Sequence, residues 1–419
     1  MKTKMLVLVG IAICTILLTS PALASAGYSK IYGNANEDDV LDMRDVTYIK
    51  LVIFGKKPAT TFADANYDGK ISMLDIGQTK LIILGKEKRL TLIDQADRVV
   101  TINKPIEKVI TAGLLDGVRA MIHLGASDKL VGVSDWAAYG EDKFAGSRCN
   151  LNRYHILTKA CPELGELPCT GSYTDPNLEL MASLRPDVIF TYSQVSDVAN
   201  LIHESIGVPV VCISGSKGYL DFELHTLVGR VIGKEREAEE LISYANEELD
   251  EVTEVTSEIP DSEKPRVYLA FWIFKGDITY TPTYYDPVDL AGGINVAEGI
   301  GGEYSVEIPK EQIIVWNPDI ILIHPTGYPI TTETVTSDPD LQTVNAVKDQ
   351  RVYYTPGYFL GWDQASGIIE TVYMAKLFHP DKFEDLDVKK KNNKILKRFY
   401  GVDGLWSEIV DACEYYNWE

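Results

Sequence analysis

Oxygen-bearing side chains recur at one spacing in two short segments: Asn34, Asn36, Asp38, Asp42 and Asp45, then, thirty residues on, Asp64, Asn66, Asp68, Ser72 and Asp75. Counted from the first residue of each set, these are positions one, three, five, nine and twelve of a loop. Carboxylate, amide and hydroxyl oxygens so spaced fold a short loop around a hard cation, and Ca²⁺ suits an all-oxygen site. The duplication runs past the loops: Met43/Met73, Lys50/Lys80, Leu51/Leu81, Ile53/Ile83, Gly55/Gly85 and Lys56/Lys86 also match. After each loop the pattern predicts a helix of about ten residues, closed by Gly at C′. One loop and helix of this size cannot bury enough surface alone. Two copies face to face, each pinned by an ion, can, so folding is expected to be coupled to ion binding.

Position twelve is Asp rather than a bidentate Glu, and only Tyr28–Gly33 precedes the first loop, leaving no leading helix. In these features residues 30–88 resemble the type I dockerin family. The second loop follows that pattern closely. The first departs from it, with Asn34 at position one and Asp39 where the second loop has Gly69. The resemblance implies two calcium sites and a cohesin-like partner, met by loop positions ten and eleven: Met43, Arg44, Met73 and Leu74. An exposed apolar residue repeated in both halves fits a protein-binding surface. The plainer alternative is a module that only caps the chain.

The other elements set the frame. At 419 residues the chain implies two or three domains. Its formal charge of −21 excludes nucleic acid as a partner, since nothing would neutralise phosphates. Lys2 and Lys4, the apolar run Met5–Thr19 and small residues at Ala22–Ala26 predict a signal peptide, hence export to the extracellular space or cell surface. An uncleaved anchor is the alternative. Cys14 lacks small residues before it and is not read as a lipidation site. Export makes one disulfide among Cys149, Cys161 and Cys169 an expectation, its pairing open. Cys212 ends an apolar strand and reads as a buried small hydrophobe.

From residue 97 onward, short apolar runs alternate with helical patterns. The strands are expected at Lys108–Ala112, Leu130–Ser134, Asp187–Tyr192 and Val208–Ile213, then at Arg266–Trp272, Asp319–His324 and Gln350–Tyr354. Helical spacing marks Leu115–Leu124, Asn177–Leu184 and Val195–Ile206. This alternation predicts α/β lobes with parallel sheets covered on both faces. A charged stretch from Leu220 to Ser257 predicts one long helix between two such lobes.

This arrangement resembles the class III solute-binding proteins of ABC importers, the iron-siderophore and cobalamin group, over residues 90–383. The phrase Asn177-Leu-Glu-Leu-Met-Ala-Ser-Leu-Arg-Pro-Asp187, helix then Pro-Asp then strand, returns as Ile308-Pro-Lys-Glu-Gln-Ile-Ile-Val-Trp-Asn-Pro-Asp319. The implied fold is two Rossmann-like lobes joined by one helix, preceded by the small all-α calcium-binding module. The expected boundaries are 1–26 signal peptide, 27–89 module, 90–218 first lobe, 219–262 linking helix, 263–383 second lobe and 384–419 helical tail. The resemblance implies that Glu179 and Glu311 dock to arginines of an ABC permease, where rim charges steer association.

A ligand in such a fold lies between the lobes, against loops at the carboxyl ends of strands. Aromatic residues concentrate there: Trp136, Tyr139, Tyr173, Tyr192, Trp272, Tyr284, Tyr358 and Trp362, with Arg153 as a cation for an anionic ligand. Large flat side chains suit a metal chelate such as a ferric siderophore, haem or cobalamin. Core packing accounts equally well for any one of them; the set at loop positions favours the cleft. The six His are scattered and do not form a transition-metal site, although His324 follows a strand and could reach the cleft. No nucleophile elbow, phosphate loop or His-Glu-x-x-His occurs, and no catalysis is assigned. The rival reading is an adhesion or scaffold protein whose two-lobed domain no longer transports.

Overall fold

The computed structural model describes residues 28–138, 153–214, 220–271, 278–301, 305–324, 330–356, 363–413, 415–416 and 418. Residues 1–27, where the signal peptide is expected, Tyr139, Trp272, Tyr358 and Trp362 lie outside the described residues, as does the side chain of Arg153.

The small module is two helices, α1 (Met43–Ile53) and α2 (Met73–Ile83), each entered through a loop. Asp42 and Ser72 cap them, and each makes a capping box with the buried Asp45 or Asp75. Gly55 and Gly85 end them at φ +66° and +62°, the left-handed turn that favours glycine. Ala35, Val46, Ile49, Ala63 and Ile76 form their shared core.

The module is not a free bead. Tyr32 N–H donates to Thr91 O, and Ile31 bridges Leu92 on strand β1 (Arg89–Ile93), which pairs antiparallel with β2 (Val99–Asn103). Ile31 and Ile82 belong to the main hydrophobic core. Lys104, nearly buried, pairs with Glu87 at 2.7 Å and donates to Arg230 O. The surface of residues 28–88 is thereby fixed to the first lobe.

Each lobe holds a four-stranded parallel sheet. The first has the order β4 (Leu130–Val133), β3 (Val109–Thr111), β5 (Val188–Tyr192), β6 (Val210–Ile213). The second has β9 (Ile294–Asn295), β7 (Arg266–Ala270), β11 (Ile320–Ile323), β12 (Val352–Tyr354). In both, the first strand in sequence lies between the second and the third, so the lobes share one topology. The continuous apolar runs follow from burial on both faces. A short antiparallel pair of β8 (Tyr280–Pro282) and β10 (Ser305–Glu307) was not expected from the sequence.

The repeated Pro-Asp phrase has a physical cause. Helix α4 (Leu178–Leu184) ends at Arg185 and α8 (Lys310–Trp316) at Asn317, both left-handed, since the following Pro disfavours further helix. The Asp then ties the next strand to the first strand of its lobe. Asp187 Oδ2 accepts from Glu107 and Lys108 N–H at 2.8 and 2.9 Å; Asp319 Oδ2 accepts from Arg266 N–H at 2.9 Å.

The single helix expected over Leu220–Ser257 is two. Helix α6 (Glu223–Ile232) stops at Gly233, φ +77°, and α7 (Glu235–Thr256) begins after it. Lys234 N–H turns back to Gly229 O, and a Cβ at Gly229 would lie 3.0 Å from Ala238 Cβ, so the helices cross closely there. Nor is α7 the only bridge. Helix α9 (Gln364–Phe378) of the second lobe packs on α10 (Val388–Tyr400), followed by α11 (Leu405–Cys413). Phe399 and Tyr400 meet His123 at the end of first-lobe helix α3 (Asp116–His123). The tail therefore touches both lobes as well as α7, where Lys394 reaches the buried Glu248 at 2.7 Å.

The disulfide expected among Cys149, Cys161 and Cys169 is not seen: Cys161 and Cys169 are free thiols, Cys161 faces Glu163, and Cys149 lies outside the described residues. Cys212 is buried as expected, and burial raises its thiol pKa to about 11. No helix among the described residues is long and apolar enough to cross a membrane.

Candidate functional site

In a sheet with this strand order the crevice opens where connections leave in opposite directions, at the carboxyl ends of the strands on either side of β3. The chain approaches itself closely there. A Cβ at Gly113, just past β3, would lie 3.1 Å from Tyr192 N at the end of β5. Only glycine lets these two exits run side by side.

Around this point the structure gathers three of the expected aromatics. Tyr192 is half-buried, and Tyr173 meets it edge-on at 6.1 Å. Trp136 sits on the short helix after β4, half-buried against the core. Burial, with the Asp116 carboxylate next and Tyr173 after it, raises the Tyr192 phenol pKa. In the second lobe the corresponding exits bring Phe271 and His324 together, ring centroids 4.7 Å apart. His324 is buried, and its backbone N–H donates to Ala270 O, continuing the pairing of β11 with β7. Tyr284 lies after β8, 40% exposed, with its phenol pKa raised by burial and by Asp286.

Sequence reasoning missed a polar set beneath these rings. Thr111 ends β3, Ser134 directly follows β4 and Thr191 is the last residue but one of β5; all are buried, and their hydroxyls have no protein hydrogen-bond partner. Buried hydroxyls normally find partners. Thr111 is in register with Phe190, so Thr191, the next residue, lies on the opposite face of the sheet, and the hydroxyls sit on both sides of the strand ends. The sequence signal is weak, since hydroxyl residues at the ends of apolar runs are common and only burial without a partner sets these apart.

Glu179 and Glu311 occupy the first turn of α4 and α8, and both are exposed. Val315, one turn beyond Glu311, is 76% exposed. On the module, Met43, Arg44, Met73 and Leu74 are exposed, and residues 41–50 repeat the burial sequence of 71–80 position for position.

In the second loop, Asp64 accepts from Asp68 and Gly69 N–H, while Asp75 accepts from Asn66 and Ser72 N–H. Asn66 Oδ1 takes Asp68 N–H. The side-chain donor set is wholly oxygen, which fits Ca²⁺. Among the described residues no three His, Cys, Asp or Glu side chains group as a metal site by themselves. The loop's carboxylates are interleaved with amide and hydroxyl oxygens.

A pocket of about 620 Å³ opens at the far end of α3 from the strand mouths, floored by His123, Phe399 and Tyr400. It lies away from the aromatic cluster.

Comparison with known proteins agrees with this architecture. The family model described as periplasmic binding protein matches residues 112–358. The chain is 27% identical over 340 residues to the molybdate-binding protein MolA of Haemophilus influenzae, covering 74% of this chain and 90% of that protein. Among solved structures, a periplasmic solute-binding protein of Veillonella parvula aligns at TM-score 0.61 and 22% identity, covering 77% of this chain and 96% of that one. The triscatecholate siderophore-binding protein FeuA of Bacillus subtilis aligns at 0.52 and 17%, covering 70% and 98%.

Proposed function

The chain belongs to the periplasmic binding protein family, and we propose that it is the exported substrate-binding component of an ABC importer. It takes a metal chelate between its lobes and presents it to a permease. The observation that carries this reading is the pairing of Glu179 and Glu311: one exposed carboxylate per lobe, on the first turn of the same helix of the same repeated unit. Ordinary surface glutamates have no reason to occur at equivalent points of both lobes. Two charges flanking the strand mouths suit steering onto a basic partner surface.

Trp136, Tyr173, Tyr192 and Tyr284, with Tyr139, Arg153, Trp272, Tyr358 and Trp362 from the sequence, are the ligand contacts of this reading. Aromatic faces favour a siderophore, haem or corrinoid. The hydroxyls of Thr111, Ser134 and Thr191 favour a second ligand class, a metal oxyanion such as the molybdate named for MolA. Calorimetric titration of the mature chain with ferric siderophores, haem, cobalamin and molybdate tests both. Saturable binding weakened by Tyr192→Ala supports a receptor, and the ligand that binds selects the class. No binding to any of them, with the fold intact, favours the adhesion reading.

The module from 27 to 89 is proposed as a dockerin-like, calcium-binding domain that docks a cohesin-like partner through Met43, Arg44, Met73 and Leu74. Asp64, Asn66, Asp68, Ser72 and Asp75 would hold one ion, and Asn34, Asn36, Asp38, Asp42 and Asp45 are the matching positions of the first loop. Bound calcium would neutralise the loop carboxylates and fix the entry of each helix.

A further inference from the structure

We infer that the two loops are not equivalent: the second is the calcium site, and the first is closed by a cation of the protein itself, the Arg44 guanidinium. This rests on the calcium reading above.

The difference begins at position six. In the second loop Gly69 has φ +85°, and Asp68 and Gly69 turn their N–H groups to the Asp64 carboxylate at 3.1 and 2.8 Å. In the first loop Asp39 stands at that position and is not left-handed. The Asp38 carbonyl instead points to position one, where Asn34 Nδ2 donates to Asp38 O at 2.6 Å and to Ser29 O at 2.8 Å. An amide NH₂ cannot take the role of the Asp64 carboxylate. What Asn34 retains is one neutral buried oxygen, Oδ1, without a protein partner.

The second difference is charge. Arg44 Nη1 lies 3.2 Å from Asp38 Oδ2, and Arg44 Nε lies 2.9 Å from Asp42 Oδ2 and 3.1 Å from Asp42 Oδ1. The guanidinium thus holds the carboxylates at positions five and nine, two of the three charged ligand positions of that loop. Thirty residues on, its counterpart is Leu74, 67% exposed. Among the described residues Asp64, Asp68 and Asp75 form no ion pair, so the second loop keeps three carboxylates for an external cation. A divalent ion entering the first loop must displace Arg44 or sit beside a like charge, and both weaken it.

The test is native mass spectrometry with calorimetric calcium titration of the full chain after chelation. One tight equivalent is expected, lost in Asp64→Ala. Arg44→Leu, which copies the second loop, is expected to bring in a second equivalent roughly tenfold tighter than any weak first-loop binding of the wild type. Arg44 is exposed, so this variant folds; Asn34→Asp with Asp39→Gly is the independent check and should strengthen the same equivalent. Two equal equivalents in the wild type, or one that survives Asp64→Ala, would overturn the inference and leave the calcium reading standing. No binding by the wild type would overturn the calcium reading itself.

Discussion

Tyr400 donates a 2.8 Å hydrogen bond to Asp363 Oδ2, both groups buried, and so ties the C-terminal tail to the start of second-lobe helix α9. The same carboxylate accepts from Ser366 Oγ at 2.6 Å, and its other oxygen caps Ala365 N–H. His123 Nε2 of the first lobe lies 3.8 Å from Asp363 Oδ1. One carboxylate is therefore shared by the tail, the second lobe and the approach of the first. Tyr400→Phe removes one bond to a buried charge and should cost about 1.5–3 kcal/mol. Urea unfolding would read this as a lower midpoint at unchanged slope; an unchanged midpoint would show that the bond is dispensable.

The neighbouring histidines predict a pH dependence. His123 Nδ1 and His225 Nε2 are 3.0 Å apart in stacked, fully buried rings. Burial first, then Arg119 for His123 and His123 itself for His225, lowers both pKa values to about 3. A base depressed on folding takes up protons more readily in the unfolded chain, so stability falls as pH drops from about 6.5 toward 3. Each histidine should remove about 1.4 kcal/mol between pH 7.5 and 5.5, a window above most carboxylate titration. Chemical unfolding of His225→Asn at the two pH values should show a smaller difference than the wild type. An equal difference would assign the effect elsewhere.

At the strand mouths, Gly113→Ala places a Cβ 3.1 Å from Tyr192 N and 3.3 Å from Thr191 C, both backbone atoms that cannot swing aside. Forcing the exits apart should cost about 1–3 kcal/mol of stability. It should also weaken ligand binding, because Tyr192 moves. Calorimetry on the folded variant checks this; wild-type affinity would remove Tyr192 from the ligand contacts.

Glu179→Ala and Glu311→Ala test docking separately from capture. Both side chains are exposed and lie on helix surfaces, so neither change should shift the melting temperature measurably. Ligand affinity should stay at the wild-type value while reconstituted uptake falls, most at low salt, since steering charges act mainly on association rate. Uptake equal to wild type in the double variant would refute the docking role.

Much of this architecture was legible because it rests on local rules. Apolar runs of four or five residues gave the sheet strands, and the Pro-Asp phrase marked the same turn twice because proline stops α4 and α8 at equivalent residues. The break at Gly233 was misread because the charged stretch keeps helical spacing on both sides of it; the left-handed glycine decides, and one glycine in a periodic run is a weak signal. The second bridge was illegible for a different reason. Tyr400 and Asp363 are thirty-seven residues apart, and nothing in the spacing says that they meet. The hydroxyls of Thr111, Ser134 and Thr191 escaped notice because Thr and Ser at strand ends are common, and only burial without partners sets them apart.

The seam between Ile31 and Leu92 has a mechanical consequence. A module on a flexible tether lets its cargo tumble; one zipped to an edge strand acts as a handle. The contacts that hold residues 28–88 fall on the β1–β2 hairpin, the first lobe and the α6–α7 corner, and none described above reaches the second lobe. A partner gripping α1 and α2 would therefore hold the first lobe in a set attitude, while the second lobe is carried by α7 and the C-terminal tail. Grip and capture are then separate equilibria: saturating one should not alter the affinity of the other.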